Sequence, residues 1–123
     1  MSARKKPQPG QIAWSDLTVN DAGKLGDFYS QVAGWRPQPV DMGNWNMVAS
    51  DGEPAAGVCH ARGGNADLPP VWLVYITVAG LEESIRRREA LGGKVRCAPR
   101  GSGFRFGVIE DPAGALVALC QTA

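Results

Sequence analysis

The sequence predicts an α+β fold of two βαβββ modules in tandem, each a curled mixed sheet with one main helix. The order of one strand, one helix and three strands occurs twice along the 123 residues. A constant offset of 59 residues superimposes the two halves, so that Leu17, Thr18 and Val19 fall on Ile76, Thr77 and Val78. Sixteen glycines and nine prolines favour short elements joined by many turns.

The first module is predicted to begin with a strand over 12–19, which is rich in β-branched and aromatic residues. Asn20 or Asp21 then offers a helix N-cap. Apolar residues follow at helical spacing, namely Leu25, Phe28, Tyr29 and Val32. Gly34 is placed to end this helix in a left-handed conformation.

Three short strands are predicted after this helix, at 39–42, 45–50 and 53–60. Asp51-Gly52 is typical of a hairpin turn between the last two. The sequence therefore divides into a flexible tail over 1–10, a first module over 11–60, a linker over 61–70 that is rich in glycine and proline, and a second module over 71–123.

The second module is predicted to begin with the most β-prone run of the chain, at 71–78. A helix over 81–91 follows, with acidic residues in its first turn and arginines further along, as the helix dipole favours. Gly92-Gly93 ends it. Strands are predicted at 94–97, 104–110 and 115–121, with a turn at 111–114 before the last.

Composition limits the possible partners and compartment. The net charge of +1 gives no electrostatic reason to expect nucleic acid or a membrane surface as a partner. No apolar run reaches the roughly 18 residues that a membrane span requires. Cys59, Cys97 and Cys120 have no CxxC spacing, which favours free thiols in the reducing cytoplasm.

The order and spacing of several short motifs resemble the glyoxalase, bleomycin-resistance and extradiol-dioxygenase superfamily, which has the vicinal oxygen chelate fold. These motifs are Phe28-Tyr29, Gly34-Trp35, the strand at 72–78, the Ala-Leu-Gly-Gly-Lys-Val run at 90–95 and Asp-Pro-Ala-Gly-Ala at 111–115. The resemblance covers residues 11–121 as one domain. It implies a cavity between the two modules and a homodimer as the assembly.

In that family, enzymes hold a divalent metal through His, Glu or Gln on the first and last strands of each module. Carried onto this sequence, the four positions hold Trp14, Cys59, Leu73 and Ala118. None supplies the imidazole or carboxylate that such metals use, so we expect no metal or other cofactor, and catalytic residues remain unassigned. The resemblance then implies a cavity that binds a small organic molecule. A neutral, flat or aromatic ligand suits the net charge.

Strand alternation from these positions predicts which side chains line the cavity. The candidate ligand-binding residues on the module strands are Trp14, Asp16, Cys59, Leu73, Tyr75, Ala118 and Cys120. Trp45 and Met47 are candidates for a mobile rim, and Arg105 for contact with an anionic group.

Each candidate also has a purely structural alternative. Trp14 could fill the space that the metal vacates, Tyr75 could be an ordinary packed tyrosine, and Asp16 could form a salt bridge. Trp45 and Met47 could be ordinary sheet packing. Arg105 could be a solvated side chain.

Three functions are consistent with these residues. The first is a metal-free protein that binds a small, largely uncharged organic molecule. The second is a metal-dependent glyoxalase-like lyase or dioxygenase with a rearranged site built from Cys59, His60 and Asp16. The third is a regulatory or interaction module whose cavity is closed.

Overall fold

The computed structural model describes residues 6–101 and 104–122. The described chain contains strands and two α-helices, which confirms the α+β prediction. It divides into two compact units. One contains residues 14–72, and the other contains the chain from residue 73 onward together with residues 6–13.

The first module is a four-stranded mixed sheet with one helix. Its elements in chain order are β1 (Ile12–Val19), α1 (Ala22–Ala33), β2 (Arg36–Pro39), β3 (Trp45–Val48) and β4 (Pro54–His60). The strand order is β2-β3-β4-β1. β3 is antiparallel to both β2 and β4, whereas β1 runs parallel to β4.

Helix α1 begins and ends as its sequence predicts. The Asp21 side chain accepts a hydrogen bond from the Lys24 backbone N–H at 3.1 Å. Gly34 adopts the left-handed conformation, with φ 76°, and its N–H donates to Ser30 O at 3.2 Å. The helix covers a core of Ala22, Met47 and Val58.

The second strand lies earlier than predicted. It occupies Arg36–Pro39 rather than 39–42, and a short 3-10 turn at Asp41–Gly43 follows. Proline is acceptable in an edge strand because it removes a donor that the sheet does not use there. β2 is the end strand of its sheet, so both of its prolines are accommodated. Met42 has φ 64°, which interrupts any extended conformation in the turn.

The second module repeats the arrangement of the first. Its elements are β5 (Trp72–Thr77), α2 (Leu81–Ala90), β6 (Lys94–Arg100), β7 (Phe104–Glu110) and β8 (Leu116–Thr122). The order is β5-β8-β7-β6, and β5 runs parallel to β8. β6 extends three residues beyond the predicted end at 97. The core beneath α2 contains Leu81, Ile85, Ile109 and Leu119.

The constant offset of 59 residues does not extend to the last strand of each module. Thr18 pairs with Cys59, and the corresponding Thr77 pairs with Cys120. The counterpart of Cys59 is therefore Cys120, not Ala118, and that of Ala118 is Gly57. The second and third strands of module 2 have seven residues each, whereas those of module 1 have four, so the modules lose their common spacing after the helix.

The predicted tail and linker contain local structure. Residues 1–5 of the tail lie outside the described residues. Beyond them, Gly10 N–H donates to Thr77 O and Thr77 N–H donates to Gln11 O, both at 2.8 Å, so this segment pairs with β5. The linker contains a 3-10 turn at Gly63–Asn65.

Two further observations bear on the class of protein. Cys59, Cys97 and Cys120 form no disulfide bond within residues 6–101 and 104–122. Within residues 6–101 and 104–122, neither helix has the length and apolarity needed to cross a membrane.

Candidate functional site

Each sheet has one face against its helix and one face turned away from it. Val19, Ile76, Val78, Val117 and Leu119 pack on the helix side, as the alternation predicts. The opposite faces carry most of the predicted site residues. We call them the module 1 face, defined by Trp14, Asp16, Thr18, Gly57 and Cys59, and the module 2 face, defined by Leu73, Tyr75, Thr77, Phe106, Ala118 and Cys120.

The Trp14 indole lies across strand β4 at Gly57. A Cβ built on Gly57 would lie 3.3 Å from Asp16 Cβ, which is closer than ordinary contact, and 3.4 Å from Trp14 Nε1, at the lower limit of ordinary contact. The absence of a side chain at Gly57 therefore makes room for the indole. Trp14 stays half-buried, which leaves part of its ring accessible to a ligand.

The Cys59 thiol is held in its neutral form. Its Sγ–H donates to Asp16 Oδ2 at 3.9 Å. Burial raises the pKa of Cys59 to about 12, and the negative charge of Asp16 and the hydrogen bond to it act in the same direction. Because the thiolate is the nucleophile and the metal-binding form, this environment suits Cys59 to neither role.

Trp45 and Met47 lie on the helix side of the first sheet. Met47 has no exposed surface and packs with Ala22 in the core. The Trp45 indole lies against α1, 3.8 Å from the position that a Cβ on Gly23 would occupy. The structure therefore places both in ordinary sheet packing, the alternative that the sequence left open.

The module 2 face is more closely packed than the module 1 face. Leu73, Tyr75, Ala118 and Cys120 are all buried. Cys120 Sγ lies 3.9 Å from Thr77 Oγ1. Burial raises the pKa of Cys120, and the hydrogen bond with Thr77 opposes that effect only in part. This thiol is therefore a small apolar side chain in a packed sheet.

Three aromatic rings form a continuous cluster on the module 2 face. The Tyr75 ring centroid lies 5.8 Å from that of Phe106 and 6.3 Å from that of Phe104, and the two phenylalanine rings are 6.3 Å apart. The guanidinium of Arg100 lies over Phe106, 5.5 Å from its centroid. We call these four residues the aromatic cluster.

Of the four residues in the aromatic cluster, only Tyr75 was predicted from the sequence as a ligand-binding residue. Phe104 and Phe106 alternate along β7, so both point to the same face, and this spacing was available as a signal. Arg105 lies between them and points the other way, where its Nη1 is 2.6 Å from Glu82 Oε2 on α2. The structure thus places Arg105 in an ion pair beside the helix and not with the cluster.

The residues at the metal-ligand positions do not fit a divalent cation. Leu73 and Ala118 are buried and offer only carbon, and the counterpart of Ala118 in module 1 is Gly57. The His60 side chain lies next to the 3-10 turn and not at these positions. A Cβ built on Gly43 of that turn would be 3.6 Å from His60 Cβ. Among the described residues, no group of three His, Cys, Asp or Glu side chains could hold a metal ion.

The comparison with known proteins places these features in a family context. The family model of the glyoxalase-like domain matches residues 14–120. The protein named "Putative glyoxylase CFP32" of Mycobacterium bovis is 30% identical over 98% of this chain and 49% of its own length. The anthracycline biosynthesis protein DnrV of Streptomyces peucetius is 32% identical over 90% of this chain and 46% of its own length. The chain thus spans about half the length of these relatives.

Solved structures share the fold at low sequence identity. A glyoxalase/bleomycin resistance protein/dioxygenase superfamily member from Vibrio splendidus aligns with a TM-score of 0.62 at 15% identity, over 92% of this chain and all of the other. A methylmalonyl-CoA epimerase from Streptomyces coelicolor aligns with a TM-score of 0.57 at 16% identity, over 94% of this chain and 99% of the other. These likenesses confirm the predicted fold.

Proposed function

Because this chain belongs to the glyoxalase-like domain family, we propose that it binds a small, largely uncharged organic molecule on its sheet faces and does so without a metal ion. The proposal rests above all on the side chains at the family's metal-ligand positions. Where imidazole or carboxylate donors are needed, this chain has Trp14, Leu73, Ala118 and either Gly57 or Cys59. Such positions favour contact with carbon and aromatic surface rather than with a cation.

The polar groups beside these positions support a binding role. Binding sites for small molecules are usually apolar walls with a few placed polar groups. On the module 1 face, the half-buried Trp14 indole and the Asp16 side chain both border Gly57. On the module 2 face, the aromatic cluster supplies ring surface. The relative DnrV, whose name assigns it to anthracycline biosynthesis, supports a role for this chain that involves a small organic compound.

A thermal-shift screen of small organic compounds tests the proposal. A ligand that binds only the folded protein stabilises it by mass action, by about 2.7 kcal/mol at 100 times its dissociation constant. We expect neutral and aromatic compounds to raise the melting temperature. A screen in which no compound at millimolar concentration does so contradicts the proposal and favours a regulatory or interaction module with a closed cavity.

The alternative of a metal-dependent lyase or dioxygenase requires Cys59, His60 and Asp16 to bind one ion. The protonated Cys59 thiol and the contact of His60 with the 3-10 turn argue against it. His60→Ala separates the two functions. In a metal-dependent enzyme this variant loses both metal uptake and turnover, whereas our proposal expects ligand binding to be unchanged.

We also propose that the chain forms a homodimer in the cytoplasm. Cysteines that form no disulfide bond in the described part of the chain suit a reducing compartment. Phe28 and Val32, one helical turn apart on α1, are both more than half exposed and give this helix an apolar outer surface. Light scattering coupled to size-exclusion chromatography is expected to give twice the chain mass of 13.0 kDa. A monomer at micromolar concentration would contradict the dimer without affecting ligand binding.

A further inference from the structure

The arginines of module 2 differ in whether a carboxylate compensates their charge. Five of them form ion pairs, each with a carboxylate oxygen within 4.0 Å. Arg86 and Arg87 both pair with Glu83, Arg88 pairs with Glu89, Arg96 pairs with Glu110, and Arg105 pairs with Glu82. Arg100 has no such partner within residues 6–101 and 104–122, and its guanidinium lies over the Phe106 ring instead. As far as the described residues show, the positive charge that Arg100 places at the edge of the aromatic cluster is not compensated by a carboxylate.

The three rings beside Arg100 differ in accessibility in a graded way. Tyr75 is buried, Phe106 is partly buried, and Phe104 is 43% exposed. The Phe104 plane is tilted by only 32° from Phe106 and 37° from Tyr75. The three rings are tilted against one another and together form an apolar surface, and Phe104 is the ring exposed enough to stack with a further flat ring.

We propose that the aromatic cluster binds planar aromatic molecules that carry a carboxylate or carbonyl oxygen on their rim. The aromatic body stacks on Phe104, and the rim oxygen accepts hydrogen bonds from Arg100. A guanidinium suits this task because its planar donors match oxygen acceptors and its face stacks on aromatic rings. The inference rests on the proposed function and narrows it to one class of ligand, in which the ring body is uncharged and a single polar or anionic group on the rim faces Arg100.

Binding of two probes to the full chain tests the inference. 2-Naphthoate carries both the flat ring and the rim oxygens, whereas cyclohexanecarboxylate carries the oxygens alone. Isothermal titration calorimetry is expected to give at least tenfold tighter binding of 2-naphthoate. Phe104→Leu and Arg100→Gln should each weaken 2-naphthoate binding at least threefold, because each removes one of the two interactions.

Matched variants control for effects on the fold. Phe28→Leu changes an exposed phenylalanine on α1, and Arg96→Gln changes an arginine on the same strand as Arg100 that pairs with Glu110. Both should bind 2-naphthoate as the unmodified chain does. Circular dichroism checks that all four variants fold, and the exposure of Phe104 and Arg100 makes misfolding unexpected.

The possible failures are distinguishable. If the thermal-shift screen finds ligands but 2-naphthoate shows no preference over cyclohexanecarboxylate, or Phe104→Leu and Arg100→Gln bind it normally, the inference is overturned and the proposed function stands. If neither the screen nor the probes reveal any binding, both are overturned.

Discussion

The reactivity of the Cys59 thiol is determined by its burial in the protein and by the nearby Asp16 carboxylate. Burial disfavours the thiolate, and the carboxylate at 3.9 Å repels it. With a pKa raised from 9.0 to about 12, the fraction of thiolate at pH 8 is lower by about three orders of magnitude than in a free thiol. A cysteine on a candidate binding face is therefore chemically inert.

We expect Cys59 to resist alkylation by iodoacetamide at pH 8 in the folded protein. Asp16→Asn removes the charge but not the burial, so the pKa of Cys59 should fall part of the way and its alkylation should accelerate at least several-fold. Peptide mass spectrometry measures the rate for Cys59 separately from the other two cysteines. Equal rates in the two proteins would show that Asp16 does not act on the thiol.

The contact between Trp14 and Gly57 is the second prediction at the scale of single residues. Gly57→Ala adds a methyl group where only 3.3–3.4 Å separates it from Asp16 and Trp14. Overpacking of this kind costs about 1–3 kcal/mol, so the free energy of unfolding measured in urea should fall by that amount. In a Trp14→Ala background the penalty should shrink. An equal penalty in both backgrounds would mean that the indole is not the obstacle.

At the scale of elements, the sequence predicted what depends on local chemistry. Helix α1 followed from its Asp21 cap and from Gly34, and both make the expected hydrogen bonds. The position of β2 was not predicted correctly from the sequence. Its two prolines exclude a helix, but they do not specify where an edge strand begins. The register of the last strands was also missed, since pairing across a sheet depends on the lengths of distant strands.

The residue that follows β6, Gly101, has a backbone conformation that favours glycine. This residue has φ 100°, and a Cβ would lie 2.3 Å from Phe104 O, so alanine meets both backbone strain and a direct clash. Gly52 also has a positive φ, of 86°, but a Cβ there meets nothing within 4 Å. Gly52→Ala should therefore cost only the left-handed strain of about 1–2 kcal/mol.

Gly101→Ala should destabilise the chain by clearly more than Gly52→Ala, as measured by urea unfolding. Because the added methyl group would meet the backbone oxygen of Phe104, the same variant should also weaken binding of 2-naphthoate to the aromatic cluster. A loss of stability equal to that of Gly52→Ala would show that Gly101 and Phe104 can move apart to accept the added methyl group.

At the scale of the whole molecule, the candidate site was predictable where strand alternation governs it. Alternation placed Tyr75, Ala118 and Cys120 on one face, and the pairing of β5 with β8 agrees. Strand alternation did not show that Trp45 and Met47 belong to the core beneath α1. Apolar residues on a short strand are compatible with either face of the sheet. The sequence also did not predict that Arg100 has no carboxylate partner among the described residues, since this depends on which carboxylates the fold brings to the other arginines.

Because the side chains at the family's metal-ligand positions do not suit a divalent cation, we expect divalent cations not to change the stability of the folded chain. An ion bound at 1,000 times its dissociation constant would stabilise the folded chain by about 4.1 kcal/mol, a change that a melting curve detects readily. We expect the melting temperature to be the same with a chelator and with added zinc, nickel or manganese, in both the unmodified chain and His60→Ala. A chelator-induced fall in the unmodified chain that His60→Ala abolishes would establish a metal site at His60 and overturn the metal-free proposal.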